Sequence, residues 1–416
     1  MHDLDQLQLG PLEEGGWLAN KRVFIRVDFN VPRDKATGAI TDDARIRAAL
    51  PSIRFCVEAG AKVILASHLG RPKGQRADDL SLEPVGAKLA ELSGFEVHIP
   101  EDCIGDAPKK VIHDLRVIAP GNRTENAPVV LLENLRFHAG EKSNDEAFVK
   151  ALSDLCDVYV NDAFGAMHRA HASVDGLPRT KRDRAAGKLV VRELEALGRL
   201  VEAPPRPFVA VLGGAKVSDK IDVIEALLSR CSAICIGGAM ANTFLAAQGH
   251  DMQRSLVEED KLPLARSLMD KARNQSIDLL LPVDLVCGAS LDATEATTTG
   301  VDAVPKGQLA LDIGPASVEK FGRAFLGAKT MFWNGPMGLF ESAPFAAGTL
   351  GVATAMSRAA GFTVVGGGDS AAAVRQAGDD IANAFDHIST GGGASLELVE
   401  GKKLPGVEAL RDRPLD

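Results

Sequence analysis

What this chain lacks narrows its chemistry first. Its 416 residues contain no G-x-x-x-x-G-K-[ST] phosphate loop and no H-R-D-L-x-x-x-N catalytic loop, so two common ATP-handling signatures are missing. Aromatic residues are 5% of the total, with one tyrosine and two tryptophans, too few for a base-stacking nucleic-acid surface. The formal net charge of −9 points away from nucleic acid as well. No apolar run reaches the ~18 residues that would span a bilayer. The acidic opening Met1-His-Asp-Leu-Asp-Gln6 has no signal- or transit-peptide pattern. The six cysteines, Cys56, Cys103, Cys156, Cys231, Cys235 and Cys287, form no C-x-x-C, and Cys231 and Cys235 have no partner pair at zinc spacing. Buried free thiols in a reducing compartment are expected, and with them a cytoplasmic protein that engages neither nucleic acid nor membrane.

What is present is an ordinary globular composition, 45% hydrophobic and 25% charged. The length suits two domains of about 200 residues. The most informative stretch is Phe362-Thr-Val-Val-Gly-Gly-Gly-Asp-Ser370 with the alanine-rich run after it. It reads as a buried parallel strand, a glycine turn and a helix N-terminus, where free amides and the positive dipole end favour phosphate. Asp369 adds a carboxylate suited to a phosphate-bound Mg²⁺. The pattern recurs at Phe208–Ser218, where Ser218 is expected to open the helix, at Ile234–Met240 and at Ile388–Ser395. One such turn is better explained by packing. Four in one half point to a polyphosphate site at the carboxyl edge of a parallel sheet.

Strand patterns are expected at Arg22–Val27, Lys62–Ala66, Glu96–Ile99, Val129–Leu132 and Asp157–Val160. Helices are expected at Asp43–Glu58, Ser81–Leu92 and Asn144–Leu155, the last opened by Asn144. A second series places strands at Phe208–Leu212, Ala233–Ile236, Asp278–Leu281, Thr330–Trp333, Thr363–Val365 and His387–Ser389. Between the series, Lys188–Val201 reads as a helix stopped by Pro204-Pro-Arg-Pro207. The expected fold class is α/β: two doubly wound parallel-sheet domains, 1–187 and 204–404, joined by an interdomain helix at 188–203, with the active site in the cleft. The Thr-, Ala- and Gly-rich loop 289–306 is expected to be a flexible excursion, and no sequence repeat relates the halves.

In the first half, polar groups follow the strands: Asp28 and Asn30, then His68 and Arg71, Arg136, and His168, Arg169 and His171. Arg45 stands in the first turns of a helix, where the dipole disfavours it, which suggests an anionic partner; a surface salt bridge is the simpler alternative. Each of these residues alone suits a solvated loop. Four arginines and a histidine at successive strand ends would converge on a small, highly charged anion. His168 and His171 are either metal ligands or hydrogen-bonding and packing groups, and no carboxylate or Cys pattern supports the first. A basic face on one domain and glycine-rich phosphate turns on the other form a phosphotransferase layout. With no signature base in the sequence, the nucleophile should already be ionised near neutral pH, as a carboxylate is.

Taken in order, Arg26-Val-Asp-Phe-Asn-Val-Pro32, Ser67-His-Leu-Gly-Arg-Pro72, Leu132-Glu-Asn-Leu-Arg-Phe137, Val160-Asn-Asp-Ala-Phe-Gly165 with His168-Arg-Ala-His171, Gly213-Gly-Ala-Lys-Val-Ser-Asp-Lys220, Trp333-Asn-Gly-Pro-Met-Gly-Leu-Phe-Glu341, Gly366-Gly-Gly-Asp-Ser370 and Ser389-Thr-Gly-Gly-Gly-Ala-Ser-Leu-Glu397 closely resemble the phosphoglycerate kinase family. The resemblance implies reversible phosphoryl transfer between 1,3-bisphosphoglycerate with ADP and 3-phosphoglycerate with ATP, using Mg²⁺. By motif position it implies that Asp28, Phe29, Asn30, Arg45, His68, Leu69, Gly70, Arg71, Arg136 and Arg169 bind the glycerate substrate. It implies that Gly213, Gly214, Lys216, Lys220, Gly237, Asn334, Glu341, Gly367, Gly368, Asp369 and Ser370 hold the nucleotide, with Asp369 toward the metal and Glu341 toward the ribose. Arg45, Lys220, Gly368 and Gly391 would be catalytic. The family also implies a hinge-bending monomer whose last segment, 405–416, returns to the N-terminal domain. Two departures stand out: Ala166-Met167 before His168, and the basic run Leu177–Arg184, whose role the sequence leaves open.

Two other classes compete. Gly366–Ala371 also fits the loose dinucleotide fingerprint of a dehydrogenase, with Asp386 at the range of a ribose-binding acid, but that reading explains neither the arginines nor Lys216 and Lys220. A non-catalytic phosphate-binding protein would be favoured only by loss of Arg45, Lys220 or Asp369, and all three are present.

Overall fold

The computed structural model describes residues 17–34, 36–119 and 124–411. The opening hexapeptide and residues 412–416 lie outside the described residues. The chain divides into two compact units. One runs to Glu195 and regains the chain at Lys403; the other is Ala196–Lys402.

The first unit is built on six strands: β1 (Arg22–Val27), β2 (Lys62–Ala66), β3 (Glu96–His98), β4 (Pro128–Leu131), β5 (Val158–Asp162) and β6 (Arg184–Ala186). Their order is β3-β4-β2-β1-β5-β6, and every pairing is parallel. Phe24 at the centre of β1 pairs with Ile64 on one side and Tyr159 on the other. These strands are buried on both faces, which is why they read as continuous β-branched and apolar runs. Tyr159 stacks on Phe24 with ring centroids 6.0 Å apart. Its hydroxyl donates to the Ser173 carbonyl at 2.7 Å, so the core holds a loop at the sheet's carboxyl edge.

In the first unit, helix entry at Asn144 differs from the sequence expectation. Asn144 does not open a helix. It ends the short helix Ala139–Ser143 in the left-handed conformation that Asn tolerates, with φ 55°. The next helix, Glu146–Ser153, is capped by Asp145, whose carboxylate accepts from the Phe148 amide at 2.9 Å.

The second unit has a parallel sheet of β7 (Phe208–Leu212), β8 (Ala233–Ile236), β9 (Asp278–Leu280), β13 (Thr330–Asn334), β14 (Phe362–Gly366) and β15 (His387–Ile388), in the order β15-β14-β13-β7-β8-β9. Beside it lies a small sheet of β10 (Asp284–Gly288), β11 (Thr297–Gly300) and β12 (Leu309–Ile313), ordered β11-β10-β12 and antiparallel. The loop expected to be a flexible excursion therefore contains a strand. Its three threonines are β-branched and pair along β10, with Thr297 opposite Cys287. Ser218 does not open its helix either. The helix is Ile221–Leu228, and the Ser218 hydroxyl donates to Glu258 Oε1 at 2.5 Å.

The helix Lys188–Val201 carries the chain out of the first unit, and the helix Pro405–Arg411 brings it back. Gly406 N–H donates to the Met167 carbonyl at 2.9 Å, and Arg184 Nε donates to the Leu410 carbonyl at 3.2 Å. This gives the basic run 179–184 a structural role. Arg179 pairs with Asp175 at 2.8 Å, and Lys181 donates to the carbonyls of Ser153 and Cys156 at 2.7 and 2.6 Å, closing the end of a helix where a cation is favoured. All six cysteines are buried and free. Among the described residues, no helix is long and apolar enough to cross a membrane.

Candidate active site

The four neighbouring strands β4, β2, β1 and β5 end at one edge of the first sheet, and each is followed by a segment that the sequence singles out. A lattice of internal bonds sets their positions. Phe29 N–H donates to Ser67 Oγ at 2.8 Å, and Gly70 N–H donates to Asn30 Oδ1 at 2.9 Å. Asn134 accepts from the Leu69 amide at 3.2 Å and donates to the Leu69 carbonyl at 2.8 Å. Arg136 Nη1 donates to the Gly70 carbonyl at 2.9 Å. Leu69 and Phe29 are buried, so they hold the edge from below. The anionic partner of Arg45 within the fold is Asp28, 2.5 Å away, and the Arg45 side chain keeps 34% of its surface exposed. Arg71 and Arg169 are exposed.

Charge at this edge is unusually one-sided. Arg26, fully buried, projects from β1 among apolar neighbours and donates to Ser173 Oγ at 2.8 Å and to the Val27 carbonyl. Its Nη2 is 3.0 Å from His68 Nδ1. A guanidinium has no acceptor, so His68 accepts through Nδ1 and carries its one proton on Nε2. Burial pushes His68 well below the usual imidazole range, and Arg26, Arg136, Arg169 and Arg45 push it further. Burial, then Arg136, Arg26, Arg169 and Lys142, lower His171 to about 3. His168 is lowered too, by burial and then by Arg169, whose Nε lies 3.0 Å from its Nε2. Burial first, then Arg169 and Arg26, bring Arg136 down to about 10, still protonated at neutral pH. Its buried Nε has no partner. The counterweight is Glu141, fully buried, which accepts from Ser173 N–H at 3.0 Å and from Ser173 Oγ at 2.7 Å. His168 accepts from Arg169, His171 Nδ1 lies 3.9 Å from Glu141 Oε1, and among the described residues neither belongs to a convergent metal-donor trio.

In the second unit the glycine turns also fall at one sheet edge, but they do unlike work. Gly213 N–H donates to the Asn334 carbonyl, Gly214 N–H to Pro336, Gly237 N–H to Leu212 and Gly238 N–H to Met337, at 2.8 to 3.0 Å. Gly391 N–H donates to Ser389 Oγ at 3.0 Å. These five amides are bonded within the protein, so they are not free donors for a phosphate at the polyphosphate site to which the four turns point. The glycines permit close approach of backbone instead: a Cβ on Gly238, at φ +66°, would stand 2.6 Å from the Gly214 backbone. Helices also start at Gly238 and Gly393, and the turn Gly367-Gly368-Asp369 opens the helix Gly368–Gln376. Gly368 and Asp369 are exposed there. The first amides of a helix have no intrahelical partner, which makes this end an anion site.

Around that turn, Ser370 Oγ accepts from Gly335 N–H at 2.6 Å, and Asn334 donates to the Gly366 carbonyl at 2.8 Å. Lys220 donates to Asn334 Oδ1. Burial lowers Lys220 to about 8, against the raising effects of Asp219, Asp369 and Glu400. Lys216 and Glu341 are exposed. A cavity of about 340 Å³ opens beside the turn, walled by Gly214, Gly238, Leu311, Pro336, Glu341 and Asp369 among others. Its largely apolar lining continues through Leu256, Leu291 and Leu309. A cavity of this size and lining can take an apolar group, with the Asp369 carboxylate at its edge.

Sequence reasoning missed several residues. Arg26, Glu133, Asn134, Glu141 and Ser173 hold the first edge, and the leucines hold the cavity. An arginine inside the apolar run Val23-Phe-Ile-Arg-Val27 was the available signal for the first. Nothing local marks the leucines. Asp386, the acid of the dehydrogenase reading, accepts from Thr363 N–H at 2.8 Å and from Thr363 Oγ1 at 3.0 Å, tying a strand start rather than facing a ribose.

Comparison with known proteins gives a consistent answer. A family model described as phosphoglycerate kinase matches residues 14–402. The chain is 56% identical over 398 residues to the phosphoglycerate kinase of Anaeromyxobacter sp. strain K, covering 95% of this chain and 98% of that protein. It is 51% identical over 397 residues to that of Moorella thermoacetica, covering 95% and 98%. Among solved structures, phosphoglycerate kinase from Coxiella burnetii matches with a TM-score of 0.82 at 38% identity, covering 98% of this chain and 99% of that one. The Pyrococcus horikoshii OT3 enzyme matches with 0.78 at 33% identity, covering 95% and 96%.

Proposed function

The chain belongs to the phosphoglycerate kinase family, and from that premise we propose how its two sheet edges divide the work of a reversible phosphoryl transfer between 1,3-bisphosphoglycerate with ADP and 3-phosphoglycerate with ATP. This is a glycolytic phosphotransferase with a carboxyl group as acceptor. The first edge takes the glycerate. Arg45, Arg71, Arg136 and Arg169 bind its phosphate and carboxylate, with Asp28 and Asn30 on the hydroxyl side and His68 Nε2–H as a neutral donor. The second unit takes the nucleotide. Its base enters the leucine-lined cavity, Glu341 meets the ribose, and the phosphates lie along Gly367-Gly368-Asp369-Ser370 toward Lys216 and Lys220.

The observation that carries this reading is the cluster of basic side chains at the first edge, where Arg26 donates to His68 Nδ1, Arg45 pairs with Asp28 and Arg136 donates to the Gly70 carbonyl. Three histidines there are held below their ordinary range, so they are poor proton acceptors at neutral pH. A nucleophile at this edge arrives already ionised, as a carboxylate does. Catalysis is then positioning and charge stabilisation, assigned to Arg45, Lys220 and the amides at Gly368. Gly391 supports the neighbouring turn.

Mg²⁺ fits the donor set: Asp369 is one exposed carboxylate beside the cavity, and this ion takes one or two carboxylates plus phosphate oxygens. When bound it neutralises charge on the nucleotide phosphates. Transfer without a protein intermediate requires the reacting atoms to approach to about 3–3.5 Å, so substrate binding draws the two edges together by hinge bending. Buried free thiols support a cytoplasmic setting, and two sites built from one chain support action as a monomer.

A coupled assay of 3-phosphoglycerate plus MgATP, with NADH oxidation as readout, tests the reading. Turnover is expected, with Arg45→Ala lowering kcat by ~10²–10³. No turnover by the folded protein, or full kcat in the variant, would refute the assignment.

A further inference from the structure

Three donors of different kinds, none of them used above, converge on one point of the first unit. Asp102 and Cys103 lie in the turn after β3, and His138 follows the short turn Leu135–Phe137 that carries Arg136. His138 Nε2 is 2.6 Å from Asp102 Oδ1. The thiol sulfur, the imidazole nitrogen and the carboxylate oxygen all lie within 4.8 Å of one another, and among the described residues no other trio of such groups does so.

We propose that Asp102, Cys103 and His138 form a binding site for one borderline-soft divalent cation of the Zn²⁺ class, separate from the Mg²⁺ that accompanies the nucleotide. The donor set decides the class. A thiolate and an imidazole select Zn²⁺ and its neighbours, whereas Mg²⁺ takes oxygen ligands. Cys103 is fully buried and supplies the inner anchor. The side chains of His138 and Asp102 are 29% and 45% exposed, which leaves the solvent side of the site open for a water as fourth ligand. The site is also braced. The His138 ring stacks on Phe148 with centroids 5.3 Å apart, and Cys103 N–H donates to Asp102 Oδ1 at 2.6 Å. With Zn–N and Zn–O both near 2.0–2.1 Å, tetrahedral ligands stand ~3.3 Å apart, so an ion would replace the hydrogen bond between His138 Nε2 and Asp102 Oδ1 and part these atoms from their present 2.6 Å. Binding replaces the thiol proton with the metal and releases that proton to solvent.

The test is titration of the full-length, metal-free, reduced protein with Co²⁺. One equivalent should bind and give a thiolate-to-cobalt charge-transfer band in the near ultraviolet. One equivalent of Zn²⁺ should abolish the band, and excess Mg²⁺ should leave it. Cys103→Ser should remove the band, and His138→Gln, which keeps the buried thiol, should weaken Zn²⁺ binding by about 100-fold or more, beyond the loss expected for an outer-shell partner. Absence of the band would overturn the proposal. So would a band that survives in Cys103→Ser, Zn²⁺ affinity unchanged in His138→Gln, or displacement by Mg²⁺.

Discussion

Arg26 and His68 face each other at 3.0 Å inside the first unit, one buried cation donating to one buried imidazole. The pair fixes a tautomer. With Nδ1 accepting, His68 offers a proton on Nε2 and nothing else, so the edge gains a neutral donor among its arginines.

Glutamine reproduces both ends of that arrangement, because its carbonyl can accept from Arg26 while its amide donates outward. His68→Gln should therefore keep most of the affinity for 3-phosphoglycerate. His68→Ala leaves a buried Arg26 N–H unmatched, which should cost about 1–3 kcal/mol of stability and raise KM for 3-phosphoglycerate far more than KM for ATP. Steady-state kinetics with each substrate varied, beside urea unfolding, separates the two variants. Equal damage from both would count against the donor role.

Acid and base act oppositely on the two units. His171 is held near 3, so below about 6.5 the unfolded chain takes up a proton that the folded one refuses. Stability falls there by about 1.4 kcal/mol per pH unit as pH drops, and above that range the histidine costs nothing. Asp312 in the second unit behaves in reverse. Burial raises it to about 7 from an ordinary 3.8, and Oδ1 has no partner while Oδ2 accepts from Gly348 N–H at 2.6 Å. The folded state holds a proton that the unfolded one loses, so stability falls as pH rises from about 4 to 7 and is level beyond. The stability of His171→Gln relative to the parent protein should rise as pH falls from 7 to 5. That of Asp312→Asn should rise from pH 4 to 7. Urea midpoints across pH, with buried Trp333 reporting the second unit, measure both.

Lys220 is kept charged partly by Asp369. Asp369→Asn should lower its pKa below about 8, and the alkaline decline of kcat/KM for the nucleotide should move to lower pH. MgADP binding should weaken while 3-phosphoglycerate binding, measured by calorimetry, stays nearly unchanged. An alkaline limb that does not move, or equal loss for both ligands, would contradict the assignment.

Joint occupancy should also compact the molecule. Small-angle scattering is expected to give a smaller radius of gyration with both ligands than with either one. An unchanged radius at saturation, in protein that turns over, would mean that no closure is needed.

Much of this was readable in the chain itself. Strands such as Val23–Val27 and Phe208–Leu212 are buried on two faces, so continuous apolar runs identify them. The glycine turns and strand-end arginines share fixed positions relative to those runs, and the family motifs pass through them. The small antiparallel sheet was not readable: Thr297–Gly300 is half exposed, and only its pairing with β10 makes it a strand. The bonds from Arg26 to His68, from Asn134 to Leu69 and from Arg136 to Gly70 were hidden for a similar reason, since they join segments distant in the sequence. Ser218 and Asn144 show the limit of local capping rules. Glu258 claims one side chain, and the other residue takes the left-handed end of a preceding helix.

The bond from Arg184 to the Leu410 carbonyl has a consequence for synthesis on the ribosome. Residues up to Glu195 emerge first, yet the helix they pack against, Pro405–Arg411, emerges only after the whole of Ala196–Lys402. At roughly 5–20 residues per second, that interval is about 10–40 s. Throughout it the Met167 carbonyl and the Arg184 guanidinium lack the partners that Gly406 and Leu410 later supply. The second unit, contiguous in sequence, can complete itself before the first. The earliest-made half is thus the last to be finished.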